Sequence, residues 1–309
     1  MAATSVRVAA PAYTALARAP RSLWGDAWRQ FRRHRLAMAG LGTLGFLVLA
    51  TLVGPFVYTQ PTDGIDFSRT LRGPSWAHPF GTDNLGRDLL ARCLYGGKIS
   101  IAVGVMAVTV AMSVGTFVGA VSGFFRRADG PLMRLTDMFI SLPSLPLLLL
   151  VIMLFRDSLR GLLGPIIGIF VLIVLVVGLL NWMGTARLVR AAFLSLKQRD
   201  FVIAAHAVGC PDGRIVVRHI LPNALAPVLV AATIGVGAAI ITESSLSFLG
   251  LGFPPDEPTW GRLLYDAQAF IDIAPHFALF PGLLISLTVL SINYVGDGLR
   301  DALDPRRLT

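Results

Sequence analysis

Charge is scarce in this sequence. Asp, Glu, Lys and Arg make up 15% of its 309 residues. Six stretches contain none of them: Leu36–Tyr58, Ile99–Phe125, Met138–Phe155, Gly161–Ala186, Ile220–Thr242 and Pro275–Gly296. With 54% hydrophobic residues and a mean hydropathy of +0.68, a soluble domain is excluded. Each stretch reaches the roughly 18–25 residues an α-helix needs to cross about 30 Å of hydrocarbon, the third only barely. The expected fold class is an all-α membrane protein with six transmembrane helices.

Other absences narrow the chemistry. The two cysteines, Cys93 and Cys210, fall on opposite sides of the membrane in this topology, so no disulfide framework is expected. The five histidines are scattered, with no HExxH and no Cys/His cluster, so a metal centre has no ligand set. Gly97-Lys98-Ile99 lacks both the earlier glycine and the following Ser/Thr of a phosphate-binding P-loop. There is no Gly-x-Ser-x-Gly elbow for a serine nucleophile. No acidic or basic residue sits in mid-span, where an ion-coupled transporter binds its proton or sodium. Glu243 comes closest, at the outer end of the fifth span within reach of water. An interfacial carboxylate bonded to Ser244 or Ser245 is its simpler reading, and a place for the three on a pathway or outer gate is the alternative.

What charge exists is asymmetric. With the N-terminus inside, the inner segments hold 19 of the 27 lysines and arginines, placing both termini in the cytoplasm. The net charge of +9 then reflects membrane sidedness and contact with anionic lipid rather than nucleic-acid binding. Upstream of the first span, Leu23, Trp24, Ala27, Trp28, Phe31 and Leu36 share one helical face opposite the arginines. That pattern suits a segment lying on the inner membrane surface, or a plain basic flank.

The expected organisation is a cytoplasmic segment over 1–35, disordered over its first twenty residues, then a first span over 36–58 and an ordered outer loop over 59–98. A core of five spans follows over 99–298, with a tail over 299–309. Gly115, Gly119 and Gly123 recur every fourth residue on one face of the second span, a spacing that lets backbones approach closely in lipid; a pore-lining role is the alternative. Pro143 and Pro146 mark either a kinked entry or a true start of the third span. In the inner loop 187–222, Asp200 is placed to cap a helix beginning at Phe201 and Gly209 to end it in a left-handed turn. Pro211 opens a second short helix to Ile220, interrupted by Pro222.

Ala204-Ala205-x-x-x-Gly209, with Leu221-Pro222 following, resembles the EAA signature of permease subunits in binding-protein-dependent ABC importers. HPFGTDNLGRDLLAR from His78, ESSLSFLGLG from Glu243, PTWGRLL from Pro258 and GDGLRDALDPR from Gly296 are similar to the C-type subunit of dipeptide/oligopeptide permeases. The resemblance covers nearly all of the chain after about Ser22. It implies the type I ABC importer permease fold in a bacterial inner membrane, and a subunit without catalytic residues. It also implies a second, B-type permease, two ATP-binding subunits that use ATP-Mg, an extracytoplasmic substrate-binding protein, and no cofactor on this chain. Asp200, Ile203, Ala204, Ala205, Gly209, Leu221 and Pro222 would couple it to the ATPase. One position departs from the pattern: Ile203 stands where the signature has glutamate. Two other classes remain for comparison. A secondary transporter calls for a mid-helix charge and inverted repeats, and a membrane enzyme for a nucleophile or metal cluster.

Overall fold

The computed structural model describes residues 23–303. Residues 1–22 and 304–309, and the side chains of Leu23, Trp24 and Asp26, lie outside the described part, including the expected disordered segment and the end of the C-terminal motif. Twelve α-helices and short helical turns account for most of the described chain, which contains no β-strand beyond one isolated bridge, Thr82 to Asp88.

Four helices are individually long and apolar enough to span: α2 (Arg35–Val57), α3 (Leu89–Phe124), the continuous helix Asp212–Phe248, and α12 (Pro275–Leu303). Two bent pairs complete six spans. In the first, α4 (Arg126–Ser141) meets α5 (Ser144–Leu163) at 90°; in the second, α6 (Pro165–Leu179) meets α7 (Trp182–Leu196) at 42°. The sharper bend corrects the third apolar stretch, Met138–Phe155, which straddles two helices. Pro143 is the N-cap of α5 and Pro146 lies in its first turn, where a missing N–H costs nothing, so the prolines mark a true helix start.

The outer loop is shorter than its composition suggests. α3 begins at Leu89, not Ile99, because the Asp88 carboxylate accepts from the Ala91 amide at 2.8 Å and caps the helix. At 36 residues α3 is about 54 Å long and extends past the hydrocarbon. Its lower half packs along α7 through the three glycines. A methyl group at Gly115 would lie 2.6 Å from Thr185 Cβ, at Gly119 2.5 Å from the Ala186 carbonyl oxygen, and at Gly123 2.6 Å from Phe193 Cβ. Only hydrogen fits on that face.

The bundle core joins Val103 and Ala107 of α3 to Ile152 of α5, Ile173 and Val177 of α6, and Leu246 of the fifth span. At the cytoplasmic end, α1 (Leu23–Arg33) does not present its apolar face to lipid alone. Ala27 and Phe31 are buried against Ala37 and Ala302, so the segment docks on the end of α12, while Trp28 and Leu36 stay exposed. A covering protein surface competes with the bilayer for the same side chains.

Candidate functional site

The inner loop is built from the end of α7 outward. α8 (Asp200–Ala207) follows after a tight turn, and its carboxyl end closes on Gly209 at φ +78. The Gly209 amide donates to the His206 carbonyl at 2.9 Å and the Cys210 amide to the Ala205 carbonyl at 3.1 Å. This pair of bonds is the Schellman closure, and it needs a residue without a Cβ penalty in the left-handed region. Asp200 does not act as the cap. It occupies the first helical position, with Arg199 as N-cap and no side-chain capping bond; its charge there still favours the positive end of the helix dipole.

One side chain anchors α8. Val202 is fully buried with Val189, Phe193, Ile215, Ile220 and Ala224, a contribution of about 1.5–3 kcal/mol for one apolar side chain. The opposite face projects. Val208 is 85% exposed, Ile203 56% and Phe201 42%, with Ala204 exposed between them. Ala205 is half-buried against the loop's own core. The expected docking residues therefore divide: Ile203 and Ala204 face outward, whereas Ala205 and Leu221 support the loop from within. Phe201 and Val208 join the outward face, and only the three-dimensional register of α8 reveals them.

The second short helix does not stop at Pro222. α9 (Asp212–Arg214), a π-helical turn over Ile215–Ile220, and α10 (Leu221–Phe248) form one 37-residue helix running into the fifth span. The Leu221 amide bonds back five residues to Val216, a widened register that admits the proline ring just beyond. The Asn223 side-chain amide donates to the His219 carbonyl at 2.7 Å, meeting a carbonyl near the break. The loop is thus mechanically continuous with a span. On its other side, Arg190 of α7 grips Asp129 of α4 through two bonds of 2.5 and 2.7 Å, and Arg187 reaches Asp137 at 2.5 Å.

At the outer end, Glu243 is fully buried rather than within reach of water. Its carboxylate accepts from Ser247 at 2.8 Å, Ser100 of α3 at 3.3 Å and Ser244 at 3.5 Å. Ser245 takes no part and donates to the Ile241 carbonyl. Ser100 also receives the Trp260 amide at 3.3 Å, tying α11 (Trp260–Ala267) to the same knot. Burial removes the water that the sequence position alone suggested, and leaves Glu243 as a clamp among three elements. Ser100 and Ser247 were not legible beforehand, since hydroxyls are ubiquitous and only tertiary packing selects these two.

The outer segment 59–88 folds on a second polar cluster. Asp83 accepts from the Arg87 guanidinium at 2.6 Å and from the Leu85 and Arg87 amides at 2.9 Å. Buried Arg92 lies 3.6 Å from Asp83 and 4.0 Å from Asp266, which Arg262 holds at 2.8 Å. Asp88 takes His78 and the Tyr58 hydroxyl, each at 2.7 Å. Gly86, at φ +75, leaves no room for a Cβ beside the Asp66 carbonyl. Most of the polar residues of HPFGTDNLGRDLLAR are accounted for by these bonds. No group of three metal-binding side chains occurs among the described residues.

Comparison with known proteins agrees with this architecture. Residues 111–309 match the model of the binding-protein-dependent transport system inner membrane component, and residues 22–74 that of the N-terminal TM domain of oligopeptide transport permease C. The chain is 40% identical over 286 residues to the dipeptide transport system permease protein DppC of Alkalihalophilus pseudofirmus, covering 92% of this chain and 90% of that one. It is 39% identical to the oligopeptide transport system permease protein OppC of Haemophilus influenzae, covering 93% and 89% of the two chains. It is also 39% identical to the glutathione transport system permease protein GsiD of Pectobacterium atrosepticum, covering 93% and 92%. A structure of the MetNI methionine ABC transporter in inward-facing conformations superposes with a TM-score of 0.53 at 21% identity, over 67% of this chain and 94% of that one, and shares the fold. Six spans, an EAA-like inner loop and these matches converge: the chain belongs to the family of binding-protein-dependent transport system inner membrane components, as a multi-pass permease subunit of the inner membrane.

Proposed function

We propose that this chain forms half of the translocation pathway of an ATP-driven importer for dipeptides, oligopeptides or related small solutes such as glutathione. A second, homologous permease supplies the other half. Two cytoplasmic ATP-binding subunits carry the ATP-Mg and all of the hydrolysis, and an extracytoplasmic binding protein delivers the solute. The names of the relatives support the solute class. A secondary transporter is not favoured: among the described residues the one buried acid in the spans, Glu243, sits among serines at the outer end, away from the midplane.

The observation that carries the reading is the projecting apolar face of α8, formed by Phe201, Ile203, Ala204 and Val208, on a helix anchored by one buried valine and a rigid glycine turn. Exposed apolar side chains in an aqueous loop mark a surface completed by another protein. Because Ile203 replaces the glutamate of the signature, docking rests on apolar contact, with Asp200 as the nearest exposed charge. Force entering at α8 passes through the continuous helix Asp212–Phe248 into the membrane and up to the Glu243 clamp.

Ala204→Arg places a bulky charge on the docking face, and Gly209→Pro cannot adopt φ +78 and loses the amide donor to His206. Both variants should insert normally yet abolish uptake and release the ATP-binding subunits during purification in mild detergent. If both retain the subunits and transport at the wild-type rate, α8 is not the coupling element. Solute transport by the isolated chain on an ion gradient would overturn the importer reading itself.

A further inference from the structure

A second site lies beside the docking helix, at the cytoplasmic end of α3. A cavity of about 310 Å³ opens there, lined by Arg126, Arg127, Lys197, His206 and Asp212 against the Phe124–Phe125 wall. Its lining brings three cations, Arg126, Arg127 and Lys197, together with one carboxylate. α4 begins at the cavity with Arg126 and Arg127: its N-cap, Phe125, supplies no side-chain bond, and its nearest acid, Asp129, is committed to Arg190. The Ala128 and Asp129 amides turn back to the Phe125 carbonyl, which leaves the amides of Arg126 and Arg127 at the positive end of the helix, a place that favours an anion. Lys197 is held in place by the Phe124 carbonyl at 2.7 Å and by the Phe124 ring, 4.8 Å away.

An independent feature continues from this cavity. Phe125 also lines a groove of about 560 Å³ between α3 and the lower half of the fifth span, walled by Met112, Phe117, Val121, Val217 and Leu225. The groove is apolar, and one of its few hydroxyls, Ser113, is turned back onto the Thr109 carbonyl at 2.7 Å. The junction between groove and cavity falls where α3 gives way to Arg126 and Arg127, the boundary between hydrocarbon and headgroups on the basic side of the membrane. A carboxylate from a protein partner would account for the cavity but leave the groove unexplained.

We propose that this cleft binds an anionic phospholipid, its phosphate among Arg126, Arg127, Lys197 and the first turn of α4, and an acyl chain in the groove. His206 belongs to α8, so the lipid borders the docking helix and steadies it.

The test uses the full-length chain with its co-purifying subunits in nanodiscs of phosphatidylcholine with or without phosphatidylglycerol, reading the phosphatidylglycerol retained after detergent extraction by native mass spectrometry. Wild type should retain phosphatidylglycerol in preference to phosphatidylcholine. Arg126→Ala/Arg127→Ala should weaken retention roughly twenty-five-fold, about fivefold for each cation lost at the headgroup layer. Val217→Trp, filling the groove from its exposed rim, should also weaken it, and inorganic phosphate should not compete. Equal retention of the two lipids, or retention unchanged in the double variant, overturns the proposal. Full competition by inorganic phosphate with no effect of Val217→Trp would make the site an inorganic-anion pocket. Release of the lipid whenever ATP-binding subunits are present would assign the cavity to the partner. Either result also overturns it.

Discussion

A single methyl group decides whether α3 and α7 can meet. Gly119 faces the Ala186 carbonyl and Val189, and neither backbone nor β-carbon can retreat as a flexible chain end would. Gly119→Leu should therefore destabilise the bundle by more than the ~1–3 kcal/mol typical of overpacking, seen as lost monodisperse protein in detergent. Gly130→Ala is the control, because that Cβ meets open space; equal losses would mean the glycine face is not a packing seam. Glu243 makes a different point. Its value lies in accepting from hydroxyls of two helices, so Glu243→Gln, which keeps an acceptor, should be milder than Glu243→Leu. The leucine variant strands buried hydroxyls at a cost of about 1–3 kcal/mol. Thermal unfolding that ranks Gln as equal to or worse than Leu would show that the clamp depends on the carboxyl itself.

At the scale of elements, α4 stands out because its 90° turn from α5 leaves it held by charge more than by burial. Thr136 is the one buried residue within it, and Arg190–Asp129 and Arg187–Asp137 tie it to α7. A double-mutant cycle on Asp129 and Arg190 should give a coupling near the upper end of the ~0.2–1 kcal/mol found for exposed pairs, since the geometry is bidentate. If uptake falls in either single variant and returns in the charge-swapped pair, α4 moves with α7 during transport; additive effects would place it outside the moving unit. The break before α5 was visible as two prolines, but its angle was not. Proline removes a donor and restricts the preceding residue, and the direction the chain then takes depends on which surfaces are available to bury it.

For the whole molecule, the outer segment 59–88 closes the far side of the bundle, and Tyr58 links it to the end of α2 through Asp88. Burial, and next the bond to Asp88 and its charge, push the Tyr58 phenol above its ordinary value. The neutral phenol is therefore the form the fold favours. Its contribution is complete below about pH 10, the unperturbed tyrosine value, and is lost as the pH rises beyond it, because a phenolate loses the donor and repels Asp88. Tyr58→Phe should lower stability near neutral pH yet flatten the alkaline decline, measured as the pH dependence of proteolytic cleavage within 59–88. An unchanged alkaline slope would assign the decline to other groups. The same scale unites the two ends of the proposed mechanism: α8 and the Glu243 clamp both attach to the helix Asp212–Phe248, the continuous element along which the proposed displacement would travel.

Sequence alone determined the class of this protein. Long uncharged runs leave an α-helical bundle as the stable answer in lipid, the arginines orient it, and the pattern around Ala204, Ala205 and Gly209 marks the inner loop proposed to meet an ATPase. These are local properties, written in composition and in short-range backbone preference. Tertiary structure decided what surrounds each side chain: that α3 starts ten residues early on the Asp88 cap, that the fifth span runs through Pro222, that Glu243 is dry, and that Ala205 supports the loop while Val208 projects from it. Burial and partnership depend on residues distant in the chain, as Ser100 is from Glu243, and no local pattern records which distant surfaces will meet.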